Sequence, residues 1–196
     1  MASTKENRTI SDFKGALIGG GARSNLFEVE LTTLPAGISW NSSDFSYMCK
    51  AATLPASNVA NIDIPFRGRT FKVAGDRTID PWTVTIINDE DFQLRSAFEN
   101  WTQQIADLST NLGATDPSAY MTNAKVFQLG RGSSKASTDS SGDSNVVLKE
   151  YEFVDIFPTS VSAIDLSYDT GDTIEEFTVE FQVQSLNLAG AGTPNG

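Results

Sequence analysis

At 196 residues, with a hydrophobic fraction of 39%, the chain is long enough for one globular domain with a sizeable core. Its lone cysteine, Cys49, excludes an internal disulfide, and the absence of histidine removes Ser-His-Asp and Cys-His nucleophile pairs, His-ligated zinc and the commonest general base. The formal net charge of −11 is unevenly placed: every Lys and Arg lies at or before Lys149, and only acids follow, a sign that repels nucleic-acid phosphates.

The opening MASTKENRTISDFK is polar where an export signal is greasy, and no apolar run approaches the roughly 20 residues of a membrane-spanning helix. Neither export nor membrane insertion is expected, and residues 1–21 read as a flexible arm. Gly19-Gly20-Gly21 precedes a strand where a phosphate loop would open a helix, so it reads as part of that arm. In NLFEVELTTL, Phe27, Val29 and Leu31 alternate with Glu28, Glu30 and Thr32, the period of a half-buried strand. Phe45, Tyr47, Cys49 and Ala51 repeat that period, which makes Cys49 a small buried hydrophobe. Ile62, Ile64 and Phe66, a turn at RGR, and Phe71 and Val73 predict a hairpin. Pro65 cannot donate to a ladder and places its strand at an edge or a bulge.

Trp82, Val84 and Ile86 predict the next strand. Gly75, Asp76 and Arg77 before it suggest a turn, either an anion-handling site or a structural corner, but neither a partner base nor a phosphate-loop motif accompanies them. Asp89, Glu90 and Asp91 lack the spacing of a calcium loop and suit a helix start, with Asn88 or Asp89 as cap. Phe92, Arg95, Phe98, Trp101, Ile105 and Leu108 recur at helical spacing. A loop with Gly113 and Asp116-Pro117 follows, then extended AKVFQLGR. Residues 132–145 are too poor in apolar side chains to order by burial and read as an exposed loop. Three extended stretches complete the domain: VVLKEYEFVDIF, SVSAIDLSY and EEFTVEFQVQSL, the last alternating strictly so that its acids oppose the core. Residues 187–196 read as a flexible tail.

This pattern predicts a mainly β fold of two packed antiparallel sheets, sandwich or barrel-like, with one flanking helix near 91–108. A single domain is expected over 22–186.

Four blocks carry a family resemblance: ARSNLFEVEL at Ala22 to Leu31, CKAATLP at Cys49 to Pro55, VAGDRTIDPWTVTIINDED at Val73 to Asp91, and FPTSVSAIDLSYD at Phe157 to Asp169. In that order the chain resembles the tail tube proteins of T-even-type contractile-tailed bacteriophages. Departures are a longer N-terminal arm, a roomier 35–44 connection, the 132–145 insertion and a Gly-rich end. The resemblance implies a non-enzymatic subunit without cofactor or metal, made and assembled in the host cytoplasm and housed in the virion. Six copies would form a ring whose sheets join into a continuous β-barrel lumen, and rings would stack into a rigid tube within a contractile sheath. Implied partners are further copies of the chain, the tail sheath protein, the baseplate tube initiator, the tail terminator, a tape measure protein in the lumen and DNA in transit, with no stable membrane association.

On that reading Gly75, Asp76, Arg77, Asp80 and Trp82 form an assembly or structural corner. Asp63, Pro65, Arg67 and Arg69 belong to an inter-subunit hairpin, and Glu152, Asp165, Glu176 and Glu180 offer an acidic face to the lumen, unless those acids solvate the outer wall. Alternatives are a tube-initiating baseplate paralogue, a contractile secretion-system tube subunit, a β-sandwich hydrolase, or a binding module using exposed aromatics such as Trp40.

Overall fold

The structure, a computed structural model, describes residues 9–17, 21–130, 146–169 and 171–187. The loop expected at 132–145 and the tail beyond residue 187 lie outside them. Two compact units divide the chain, one from residues 1–28, 126–151 and 188–196, the other from residues 29–125 and 152–187.

In the first unit, helix α1 (Ile10–Ala16) opens with a capping box: Asp12 N–H donates to Thr9 Oγ1 at 3.3 Å and Thr9 N–H to Asp12 Oδ2 at 2.9 Å. Part of the expected flexible arm is therefore helical, because Thr9 and Asp12 satisfy its orphan N–H groups. The unit also holds the adjoining ends of strands β6 (Thr122–Gly130) and β7 (Val146–Val161). Gln128 Nε2 donates to the carbonyls of Arg23 and Leu26, both at 2.7 Å.

The second unit carries the main core. A seven-stranded sheet runs in the order β1 (Phe27–Leu31), β6, β7, β8 (Glu176–Gln182), β5 (Trp82–Ile87) and β2 (Cys49–Ala52), with β9 (Ser185–Asn187) pairing to β7. The β2–β5, β5–β8, β7–β8 and β7–β9 pairs are antiparallel. Strand β7 changes partner at Asp155, whose φ is +54°. Residues 152–154 pair with β9, residues 157–161 with β8. The buried positions shift parity there, from Phe153 to Ile156 and Pro158, as a bulge requires. Asn123 Oδ1 accepts the Asp155 N–H at 3.0 Å and holds the bend.

Strand β5 buries Trp82, Val84 and Ile86, and β8 buries Phe177, Val179 and Phe181, the strict period-2 alternation their sequences predict. Helix α3 (Gln93–Ile105) buries Leu94, Ala97, Phe98 and Trp101, one stripe at i, i+3, i+4 and i+7. Phe98 and Trp101 each lie 6.0 Å from the Phe181 ring, and Trp82 stacks on Phe181 at 5.1 Å and meets Phe153 in a tilted pair at 4.9 Å. Arg95 pins the helix to the β7–β8 connection, donating to Ser162 O at 2.6 Å beneath a cation–π contact with Phe177.

Three expectations are corrected. Phe45 and Tyr47 belong to helix α2 (Ser42–Met48), because Asn41 caps it and accepts from Ser43 N–H. Phe45 is buried and Tyr47 is exposed, so only Cys49 onward is strand. Trp40 is not an exposed aromatic: it is buried against Phe98 at 5.1 Å and Phe45 at 6.0 Å. Helix α3 is shorter than 91–108. Phe92, in the left-handed region, precedes it and Leu108 lies beyond it, both exposed. Asp91 Oδ1, not Asn88 or Asp89, accepts the Gln93 N–H, at 3.2 Å.

Trp82 and Trp101, both fully buried, differ in one hydrogen bond. Trp101 Nε1 donates to Tyr120 O at 2.8 Å, whereas Trp82 Nε1 is buried without a partner among the described residues. Trp101→Phe should therefore lower the unfolding free energy by about 1 kcal/mol more than Trp82→Phe, measured by urea unfolding of dispersed protein. Equal losses would show that packing alone decides.

Candidate assembly surface

Between β2 and β5 the chain leaves the sheet as a hairpin of β3 (Ser57–Phe66) and β4 (Arg69–Ile79), which form a two-stranded sheet of their own. Arg67 and Gly68 make the turn with φ of +47° and +80°. Both central residues of a type I′ turn need positive φ, which matches the twist of the flanking strands. At about 3.4 Å per residue each arm spans roughly 35 Å.

Ile62 pairs with Val73 and Ile64 with Phe71, so with Phe66 these side chains share one face. All five are exposed, Phe66 and Phe71 by about two-thirds (66% and 65%). The opposite face is polar, with Asp63 across from Lys72 and Pro65 across from Thr70. An isolated hairpin is marginal in water, and an uncovered apolar face of this kind marks an interaction surface. Arg67 lies over the Phe66 ring at 5.4 Å, and Arg69 is the cross-strand partner of Phe66. The sequence-predicted residues Asp63, Pro65, Arg67 and Arg69 therefore surround the turn-proximal end.

The corner expected at Gly75, Asp76 and Arg77 is not a turn. All three are inside β4, where the register slips between Val59 and Asn61 so that Gly75 and Asp76 oppose Ala60. Gly75 sits in this bulge because a Cβ there would lie 3.2 Å from both Ala60 O and Ile62 Cγ1. Close approach of the opposite strand's backbone and of the Ile62 side chain, and not an unusual φ, favours glycine here. Nearer the sheet, Arg77 Nε donates to Ser57 Oγ at 2.6 Å, Asn58 Nδ2 to Asp80 Oδ1 at 2.8 Å, and Asp80 N–H to Ala56 O at 3.0 Å. These bonds tie the two arms at their base. Trp82, grouped with them in the sequence, lies in the core.

The four acids assigned to one face are only partly brought together. Glu176 and Glu180 share the non-core face of β8, beside Thr178 and opposite Ile87 and Thr83 on β5. Glu176 meets Lys50 Nζ of β2 at 2.5 Å, a half-exposed pair of small energetic weight. Glu152 is on the part of β7 that pairs with β9, and accepts from Asn187 Nδ2 at 3.3 Å. Asp165 is exposed in the connection after β7, off any strand.

That connection is what sequence reasoning missed. SVSAIDLSY reads as a strand, yet β7 ends at Val161, and Leu166, Tyr168 and Ile174 are exposed. The signal was the absence of strict alternation between Ser162 and Tyr168. Burial pushes the Cys49 thiol up to about 12, so this lone sulfur is a packed hydrophobe. Among the described residues no group of His, Cys, Asp and Glu is arranged to hold a metal ion, and no helix is long and apolar enough to cross a membrane.

Gly75→Val should speed amide exchange across 57–79 while leaving the exchange of β5, β8 and α3 unchanged, because the crowded bulge belongs to the hairpin alone. Uniformly faster exchange would show that the hairpin supports the core.

The family described as phage tail tube protein matches residues 22–188. Tail tube protein gp19 of Enterobacteria phage T4 is 36% identical over 161 residues, 82% of this chain and 88% of that protein. Its counterpart from Enterobacteria phage T6 is 35% identical over the same shares. Among solved structures, the sixfold-symmetrised baseplate of the anti-feeding prophage aligns over 88% of this chain and 98% of its own, with a TM-score of 0.63 and 11% identity. The extended sheath-tube complex of an extracellular contractile injection system aligns over 94% and 99%, with a TM-score of 0.53 and 11% identity. These distant structures share the fold.

Proposed function

The chain belongs to the phage tail tube protein family, and from that premise we propose that six copies close into a ring, that rings stack into a hollow tube inside a contractile sheath, and that DNA leaves the capsid through the bore. It is a structural subunit of the tail tube and a component of the virion tail, not an enzyme. Assembly takes place in the host cytoplasm, with a baseplate initiator at one end, a terminator at the other and a tape measure protein inside.

The observation that carries the assembly reading is the apolar face of β3–β4, which no other part of the described chain buries. Ring closure gives that face a cover and gives the open edges β1 and β2 a neighbour, so that the sheets of six copies join as one barrel. Glu176 and Glu180 on the non-core face of β8 line the bore in this reading. Phosphates are repelled along such a wall and find no binding wells.

Purified protein at rising concentration, with the initiating complex added, should form tubes of uniform diameter by negative-stain electron microscopy. Ile64→Glu/Phe71→Glu should remain a folded monomer with unchanged circular dichroism and form none. Tubes of normal appearance from that variant would remove the hairpin from the interface, and a wild-type chain that stays monomeric with the initiator would overturn the tube reading. In assembled virions Glu180→Lys should leave tube length unchanged and slow DNA release by about tenfold, a charge effect that added salt reduces; unaltered release would put Glu180 on the outer wall.

A further inference from the structure

We propose that the hairpin of one copy seats on the described parts of the β7–β8 connection, residues 162–169 and 171–175, of the next copy. The inference rests on the tube reading and specifies the contact through which it is built. The connection borders a cleft of about 650 Å³ lined by Ile164, Asp165, Leu166, Tyr168, Ile174 and Glu176 among others. Leu166 is 79% exposed, Ile174 72%, and Tyr168 is fully exposed. A second uncovered apolar surface thus exists on the same chain.

Charge matches the two surfaces. From Ile64 to Phe71 the hairpin tip carries Arg67 and Arg69 and no acid, whereas Lys72 lies across from Asp63 on the opposite face. The connection and the first residue of β8 carry Asp165, Asp169, Asp172, Glu175 and Glu176 and no base. Glu175 accepts from Asn88 Nδ2 at 2.9 Å and Glu176 pairs with Lys50, which directs them toward their own protomer. The three aspartates are exposed. Apolar side chains on each side, Phe66 and Phe71 against Leu166, Tyr168 and Ile174, supply burial, and opposite charge at the rim sets orientation and suppresses other registers.

The two surfaces differ, so the contact is heterologous: a copy whose hairpin is seated still presents an open connection. Such a contact propagates, closing into a ring or continuing as a helix. A self-complementary patch would stop at a dimer. This propagation is the property a tube subunit needs.

The test is cross-linking with a short bismaleimide in assembled tubes. Native Cys49 does not interfere, because its thiol is buried in the core and out of reach of the reagent. The Phe66→Cys/Leu166→Cys variant should give a ladder of covalent oligomers, and a mixture of the two single variants should give covalent dimers only. Charge reversal supplies the second arm. Arg67→Glu/Arg69→Glu and Asp165→Lys/Asp169→Lys should each cut tube yield by about tenfold, and the four substitutions together should restore it to within about threefold.

Normal tubes without a ladder, with Leu166→Cys cross-linking instead to sheath protein, would overturn this contact and leave the tube reading standing. A combined reversal no better than its worse parent would overturn it as well. Failure of the unmodified chain to form tubes would overturn both.

Discussion

The packing of α3 against β8 and β5 is the contact on which the rest of the molecule depends. Phe181 touches Phe98 and Trp101 from the helix and Trp82 from the neighbouring strand, so a single ring joins three elements distant in sequence. Aromatic groups of this size dominate core energetics. Because that cluster closes the core, the apolar residues of β3 and β4 are not needed to fold the subunit. A long apolar face thus remains uncovered beside a closed core, and that surplus is what the proposed assembly draws on.

Tethering at its base keeps the surplus usable. Strands β3 and β4 are held to each other by Arg77 with Ser57 and Asn58 with Asp80, while the I′ turn at Arg67-Gly68 fixes register at the far end. Register matters because a one-residue slip of β4 would put Phe71 and Val73 on the face opposite Ile62 and Ile64. The Gly75 bulge lies between these two anchors, where backbone and side chain of the opposite strand approach within 3.2 Å of the Cβ position. Pre-ordering of this kind lowers the ordering entropy that a disordered arm would lose on association.

Much of the fold was legible because burial leaves a period. Strands β5 and β8 and the buried stripe of α3 follow from spacing alone. Helix α2 did not, since a seven-residue helix with polar Ser, Asp and Ser leaves a period too short to separate from alternation, and Phe45 fits either. The 35–44 connection hid its purpose for a related reason: nothing local distinguishes a loop tryptophan that faces solvent from Trp40, which turns back onto Phe98. For the candidate site, period 2 identified an apolar face on the hairpin but could not say that no other part of the described chain covers it. The bulge at Gly75-Asp76 read as a turn because glycine followed by aspartate serves both, and only the partner strand decides between them.

The segregation of charge along the chain then acquires a physical use. At −11, free subunits repel one another beyond a Debye length of about 8 Å at physiological salt only weakly, and more strongly as they approach. Random encounters between anionic surfaces are therefore discouraged, even though each subunit exposes apolar side chains. The cationic tip at Arg67 and Arg69 is the local exception. Its approach to an acidic surface is attractive where almost every other approach is repulsive. Solubility of the free chain and selectivity of the contact thus follow from one distribution, a broad negative field interrupted at the end of the hairpin.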